Sequence, residues 1–137
     1  MKLLTFQAER FAWTPFNQTL EYATEAEPGE ERDCLVVFFH AEQADQEDER
    51  HKKVFKQTLK HIKWLSNKRE WKNVVLHSFT HLGGETADAQ YGQTFMRDLV
   101  DRLQQNGYRV NCTPFGWFCS WEICVYGDSL AKVWKEI

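Results

Sequence analysis

No run of about 18 consecutive apolar residues occurs in this chain, so no membrane-crossing helix is expected. Only three residues are proline and seven glycine, and no segment is repeated, of low complexity or built like a linker. The four cysteines, Cys34, Cys112, Cys119 and Cys124, lack a Cys-x-x-Cys pair and a companion histidine pair, so a zinc site has little support. Three of them fall in apolar, strand-like runs, where Cys behaves as a small hydrophobe, and buried free thiols are expected. A phosphate-binding Walker loop, a dinucleotide fingerprint and a Ser-His-Asp spacing are all missing. No metal and no cofactor are expected. The opening Lys2-Leu3-Leu4-Thr5-Phe6 is too short and interrupted for a signal peptide, which makes a cytoplasmic protein the simple expectation.

What is present is a chain of 137 residues, 42% hydrophobic and 15% aromatic, the size of a single domain (residues 1–137) with a core of its own. The aromatic share is high, and some of the six tryptophans are expected to line a cleft. The net charge of −3 hides an uneven distribution: nine of the seventeen basic residues lie between Arg50 and Lys72, and twelve of the twenty acidic ones between Glu9 and Glu49. The overall sign argues against general nucleic-acid binding. The basic cluster allows either a local phosphate contact or a solvated helix face.

Periodicity organises the rest. Strands are expected at Lys2–Gln7, Thr19–Ala23, Cys34–His40, Asn73–Ser78, Tyr108–Cys112 and Trp117–Tyr126, with a charged turn over Glu25–Arg32. The unbroken apolar run CLVVFFH marks a strand covered on both faces. One helix is expected over His51–Asn67, with Phe55, Leu59, Ile62 and Leu65 buried, and His51 and His61 facing solvent. A second spans Ala89–Gln105 on a Phe95/Leu99/Leu103 seam, with Gly107 at its C-terminal cap, and a short third covers Leu130–Ile137 behind Ser129. The fold class is α/β: a mixed sheet, two long helices packed on it and a short C-terminal helix.

Two strand ends run into sharp corners. Val74–Phe79 leads into Thr80-His81-Leu82-Gly83-Gly84-Glu85, and Thr113 leads into Pro114-Phe115-Gly116-Trp117-Phe118. Side by side, such corners would make a small pocket with aromatic walls and free backbone N–H groups. Gly83-Gly84 reads equally as an N–H cradle ahead of the second helix or as a plain turn. His77 alternates with Phe79 and reads as structural.

The runs VVLHSFTHLGGE, GYRVNCTPFGWF and GDSLAKVW resemble the editing domain of archaeal threonyl-tRNA synthetase, whose fold is similar to that of the D-aminoacyl-tRNA deacylases. The resemblance is specific over Val74–Leu82 and Tyr108–Trp117, with Leu130-Ala131 a weaker echo. It implies a free-standing, proofreading deacylase that hydrolyses mischarged tRNA, seryl-tRNA(Thr) foremost, with threonyl-tRNA synthetase as a possible partner. It also implies a homodimer. The alternative it leaves is a module without catalysis that binds an aminoacyl-tRNA end, a nucleoside or an amino acid.

Mapped onto this sequence, the resemblance assigns substrate binding to Phe79, Thr80, His81, Phe115, Gly116 and Phe118. Lys52, Lys56, Lys60 and Lys63 are the expected tRNA contacts. Two positions depart from the family pattern: Cys119 stands where the family has a lysine, and Lys132 where it has a glutamate. Lys132 could restore the missing cation from the other position. Cys119 is either a nucleophile or an inert thiol.

Overall fold

The computed structural model describes residues 1–137. Its centre is one long strand, β1 (Lys2–Gln18), antiparallel to β2 (Gly29–His40) along one edge. The other edge of β1 is shared by two strands. β5 (Trp117–Val125) pairs with the second half of β1, and β6 (Lys132–Glu136) with the first. Beyond β2 lie β3 (Asn73–Ser78) and β4 (Arg109–Cys112), both parallel to their neighbours, for a sheet order β4-β3-β2-β1-β5. Helix α1 (Asp48–Asn67) connects β2 to β3, and α2 (Ala89–Gln105) connects β3 to β4. Two successive crossovers of one hand place both helices on the same face of the sheet.

The pleat sorts the core into two layers. Leu3, Leu35, Val37, Phe39, Val74, Leu76 and Val110 point at the helices and meet Val54, Ile62, Leu65, Phe95, Leu99 and Leu103. Burying each such side chain contributes about 1.5–3 kcal/mol. Val36, Phe38, Val75, Ala8, Phe11 and Trp13 point to the other face. A β-bulge between Ala8 and Arg10 shifts the alternation of β1, so that Ala8 and Phe11 share a layer. Both faces of β2 are covered, as its unbroken apolar run requires. α2 has the expected bounds and seam, and Gly107 follows its cap residue Asn106 with φ +84°.

Four expectations need correction. Thr19–Ala23 is not a strand, because β1 runs on to Gln18 with Pro15 inside it. Past Trp13, β1 has a partner on one side only, where a proline is tolerated. The charged stretch Glu25–Arg32 is half strand. β2 starts at Gly29, and a Cβ there would collide with the Trp13 ring that crosses it. The C-terminal segment is not a helix: a short 3₁₀ turn at Ser129–Ala131 leads into β6. That strand pairs with the edge of the first half of β1 that β2 leaves open. Finally, α1 is rotated from its expected stripe. Val54, Thr58, His61, Ile62, Leu65 and Ser66 are buried, and Phe55 and Leu59 flank them.

No helix is long and apolar enough to cross a membrane.

Candidate functional site

The histidine corner and the Pro-Phe-Gly corner meet. β3 and β4 are parallel neighbours, so their C-terminal ends lie side by side, and the chain leaves each in a turn. Between these ends, the start of α2 and the first residues of β5 lies a cavity of about 310 Å³. Phe79, Thr80, His81, Phe115, Gly116, Phe118 and Cys119 all line it. The volume is at the small end of ligand sites, suited to a small polar group with part of what carries it.

Backbone donors surround the space. The N–H groups of Thr80, His81, Phe115 and Gly116 donate no backbone hydrogen bond within the chain. Asp88, Ala89 and Gly92 bring the N-terminal turn of α2 to the wall, where the helix dipole favours negative charge. Gly83-Gly84 does not line the cavity, and Gly83 lies instead against the side chain of Lys2.

The Pro-Phe-Gly corner is held from behind. Gly116 takes φ +81°, and a Cβ there would stand 2.8 Å from the Cβ of Ala23. Its carbonyl accepts the N–H of Thr19 at 2.8 Å, and the Trp117 indole donates to the Thr24 carbonyl at 3.0 Å. The β1–β2 connection thus clamps the corner and adds Thr19 and Leu20 to the wall.

Aromatic rings close the base. Phe38 contacts His77, Phe79 and Trp121 at centroid distances of 4.7, 5.3 and 4.9 Å, and His81 stands edge-on to Phe79 at 5.3 Å. His77 is buried, lines the cavity and shares a 2.6 Å hydrogen bond between Nδ1 and Thr113 Oγ1. Burial pushes its pKa down to about 4, so the ring is neutral at pH 7. Sequence reasoning set His77 aside and did not single out Thr113 or Trp121. For Trp121 the signal was available, because residues 117, 119 and 121 alternate onto one face of β5.

Other expected residues lie elsewhere. Lys132 is not at the cavity; it is exposed at the start of β6, and its ammonium donates to the Gly127 carbonyl at 3.3 Å. Cys119 is at the cavity, but burial raises the pKa of its thiol, which disfavours a thiolate. Cys34 is buried, Cys112 and Cys119 are half-buried, and Cys124 is exposed, so burial does not hold for all four. His40 is fully buried on Thr86 Oγ1 at 3.0 Å and does not line the cavity. His61 is buried rather than solvent-facing, and His51 is half-buried on the Tyr91 hydroxyl at 2.9 Å. Lys52, Lys56 and Lys60 border a separate groove, whereas Lys63 reaches across to Asn106 Oδ1 at 2.9 Å.

Residues 1–137 match the family described as the archaea-specific editing domain of threonyl-tRNA synthetase. The threonine–tRNA ligase of Methanopyrus kandleri is 25% identical over 140 residues, and that of Staphylothermus marinus 28% identical over 142. Each alignment covers 100% of this chain and 22% of the relative, so the chain spans about a fifth of their length. Among solved structures, the c-Myc DNA Unwinding Element Binding Protein superposes with a TM-score of 0.69 at 12% identity, over 100% of this chain and 99% of its own. At that identity the likeness concerns the fold alone.

Proposed function

The chain belongs to the archaea-specific editing-domain family of threonyl-tRNA synthetase, and on that premise we propose that it hydrolyses seryl-tRNA(Thr) in the cavity between its two corners. The observation that carries the reading is the convergence of the His81 and Phe115-Gly116 corners on one small space bordered by free N–H groups. Serine and threonine differ by a methyl group, worth only about 1–3 kcal/mol in a binding pocket, so a synthetase needs a second site to correct the error. The partner is then the acceptor end of a mischarged tRNA, alone or beside a threonyl-tRNA synthetase.

The chemistry asks little of the side chains. A water oxygen bonds to the ester carbonyl carbon, the bond from that carbon to the ribose oxygen breaks, and the water's proton passes to the ribose oxygen. Negative charge gathers on the former carbonyl oxygen. The N–H groups of Thr80, His81 and Gly116 and the first turn of α2 border the space where it would develop, and oriented donors of this kind are worth about 10²–10³ in rate each. Phe79, Phe115 and Phe118 wall the pocket, and His81 at its rim limits the size and handedness of the amino acid.

One observation favours a second reading, a module that binds the aminoacyl end without cleaving it. No lysine or arginine lines the cavity, and Cys119 stands where the resemblance would place a lysine. Single-turnover hydrolysis of seryl-tRNA(Thr) decides between them. The deacylase reading expects turnover by the parent protein and a further gain of roughly 10²-fold on Cys119→Lys. Binding of the aminoacyl end without turnover by the parent would establish the second reading.

A further inference from the structure

A second concavity, about 1000 Å³, lies between α1 and β6 and shares no lining residue with the cavity above. Five lysines and one carboxylate, Glu49, line it, so its charge is mainly positive. Lys53, Lys56 and Lys60 stand at helical spacing along one side, and Lys135 of β6 joins them. None of these four makes an ion pair within the chain; Lys52 at the end of the row does, with Glu49 at 2.6 Å. Trp64 and Trp134 wall the groove and remain 45% and 54% exposed. Two indoles left half in water on the walls of one groove forgo burial and offer flat apolar faces to a partner.

A histidine borders the same groove. His61 is 6% exposed and borders the groove, its ring 6.0 Å from that of Trp64, and its Nε2 has no hydrogen-bond partner.

Unpaired cations beside exposed aromatic faces match the needs of an unpaired nucleic-acid strand: phosphates for the ammonium groups, base faces for the indoles. A duplex hides its base faces and would leave the tryptophans idle. A bilayer needs them on a crest, whereas both stand on the walls of a groove. We propose that this groove binds single-stranded RNA, with phosphates on Lys53, Lys56, Lys60 and Lys135 and bases stacked on Trp64 and Trp134. It deepens the tRNA reading by giving the domain a hold on RNA apart from the cavity. It stands whether or not the cavity cleaves an ester.

The test is fluorescence anisotropy with a short, fluorescein-labelled single-stranded RNA of mixed sequence carrying no amino acid, beside a duplex of the same length and vesicles containing phosphatidylserine. The expected result is binding of the single strand with quenching of tryptophan emission. The log affinity falls with log salt at a slope of about −3 for four phosphates. Trp134→Ala weakens binding roughly tenfold. The pair Lys56→Gln and Lys60→Gln makes the slope shallower by about 1.4. Equal binding of duplex and single strand, unchanged affinity in both variants, or quenching by the vesicles and not by RNA would overturn the proposal. Loss of ester hydrolysis in His81→Ala with RNA binding intact separates the cavity's reading from this one.

Discussion

His77 is the residue whose chemistry is set most plainly by where the strand puts it. Its pKa of about 4 lies below the ordinary 6.5 because burial disfavours the charged ring. The folded chain keeps the ring neutral while the unfolded chain takes up a proton first. This contribution is therefore flat above about pH 7, and stability declines as the pH falls from 6.5 towards 4, by about 2–3 kcal/mol at pH 4.5. Urea midpoints at pH 7.5 and 4.5 measure the decline, and His77→Gln makes it shallower. His61, also held near 4 by burial and then by Lys135, adds a slope of the same sign. At Cys119 burial works against a thiolate, so Cys119→Ser keeps its seryl-tRNA(Thr) hydrolysis and iodoacetamide reacts slowly at pH 7.5. Lys132→Ala also keeps the parent rate, since that ammonium sits on the Gly127 carbonyl rather than at the cavity.

At the scale of elements, the Pro-Phe-Gly corner depends on one glycine and on the segment behind it. Gly116→Ala forces a Cβ onto Ala23 and Leu20 at a positive φ, and is expected to cost about 1–3 kcal/mol and to open the corner. Thermal melts register the first effect, and a raised KM for seryl-tRNA(Thr) the second. β3 and α2 were legible to the residue because each carries its own period: a short apolar run between turn signals, and a three-step helical seam. The far half of the β1–β2 ribbon, residues 8–18 against residues 29–33, and β6 were not. Their residues alternate weakly, and what makes them strands is a partner far away in sequence: Trp13 lying across Gly29, and Lys2–Phe6 offering an open edge to Lys132–Glu136. The corners were legible as turns with glycine and proline. His77 reaches the cavity through the parallel pairing of β3 with β4, which sets it beside Thr113, and Trp121 through the pairing of β5 with β1, which brings it over Phe38.

For the whole molecule, the face of the sheet opposite the helices is incompletely covered. Trp121 and Ile123 of β5 remain exposed there, and a homodimer of the kind the sequence resemblance implies would use this side as its contact. Light scattering on a sizing column is expected to give a dimer that Ile123→Lys shifts to monomer; a monomeric parent at high concentration contradicts the pairing. The account as a whole turns on the cavity where two parallel strands end and α2 begins, and on its admitting a seryl ester while disfavouring a threonyl one. The most direct measurement presents the protein with seryl-tRNA(Thr) and threonyl-tRNA(Thr) side by side and follows ester loss over time. The account predicts faster loss of the seryl ester by about 10- to 200-fold, abolished when His81→Ala and Phe115→Ala are combined. Equal loss of the two esters, or selectivity untouched by that pair of changes, would contradict it.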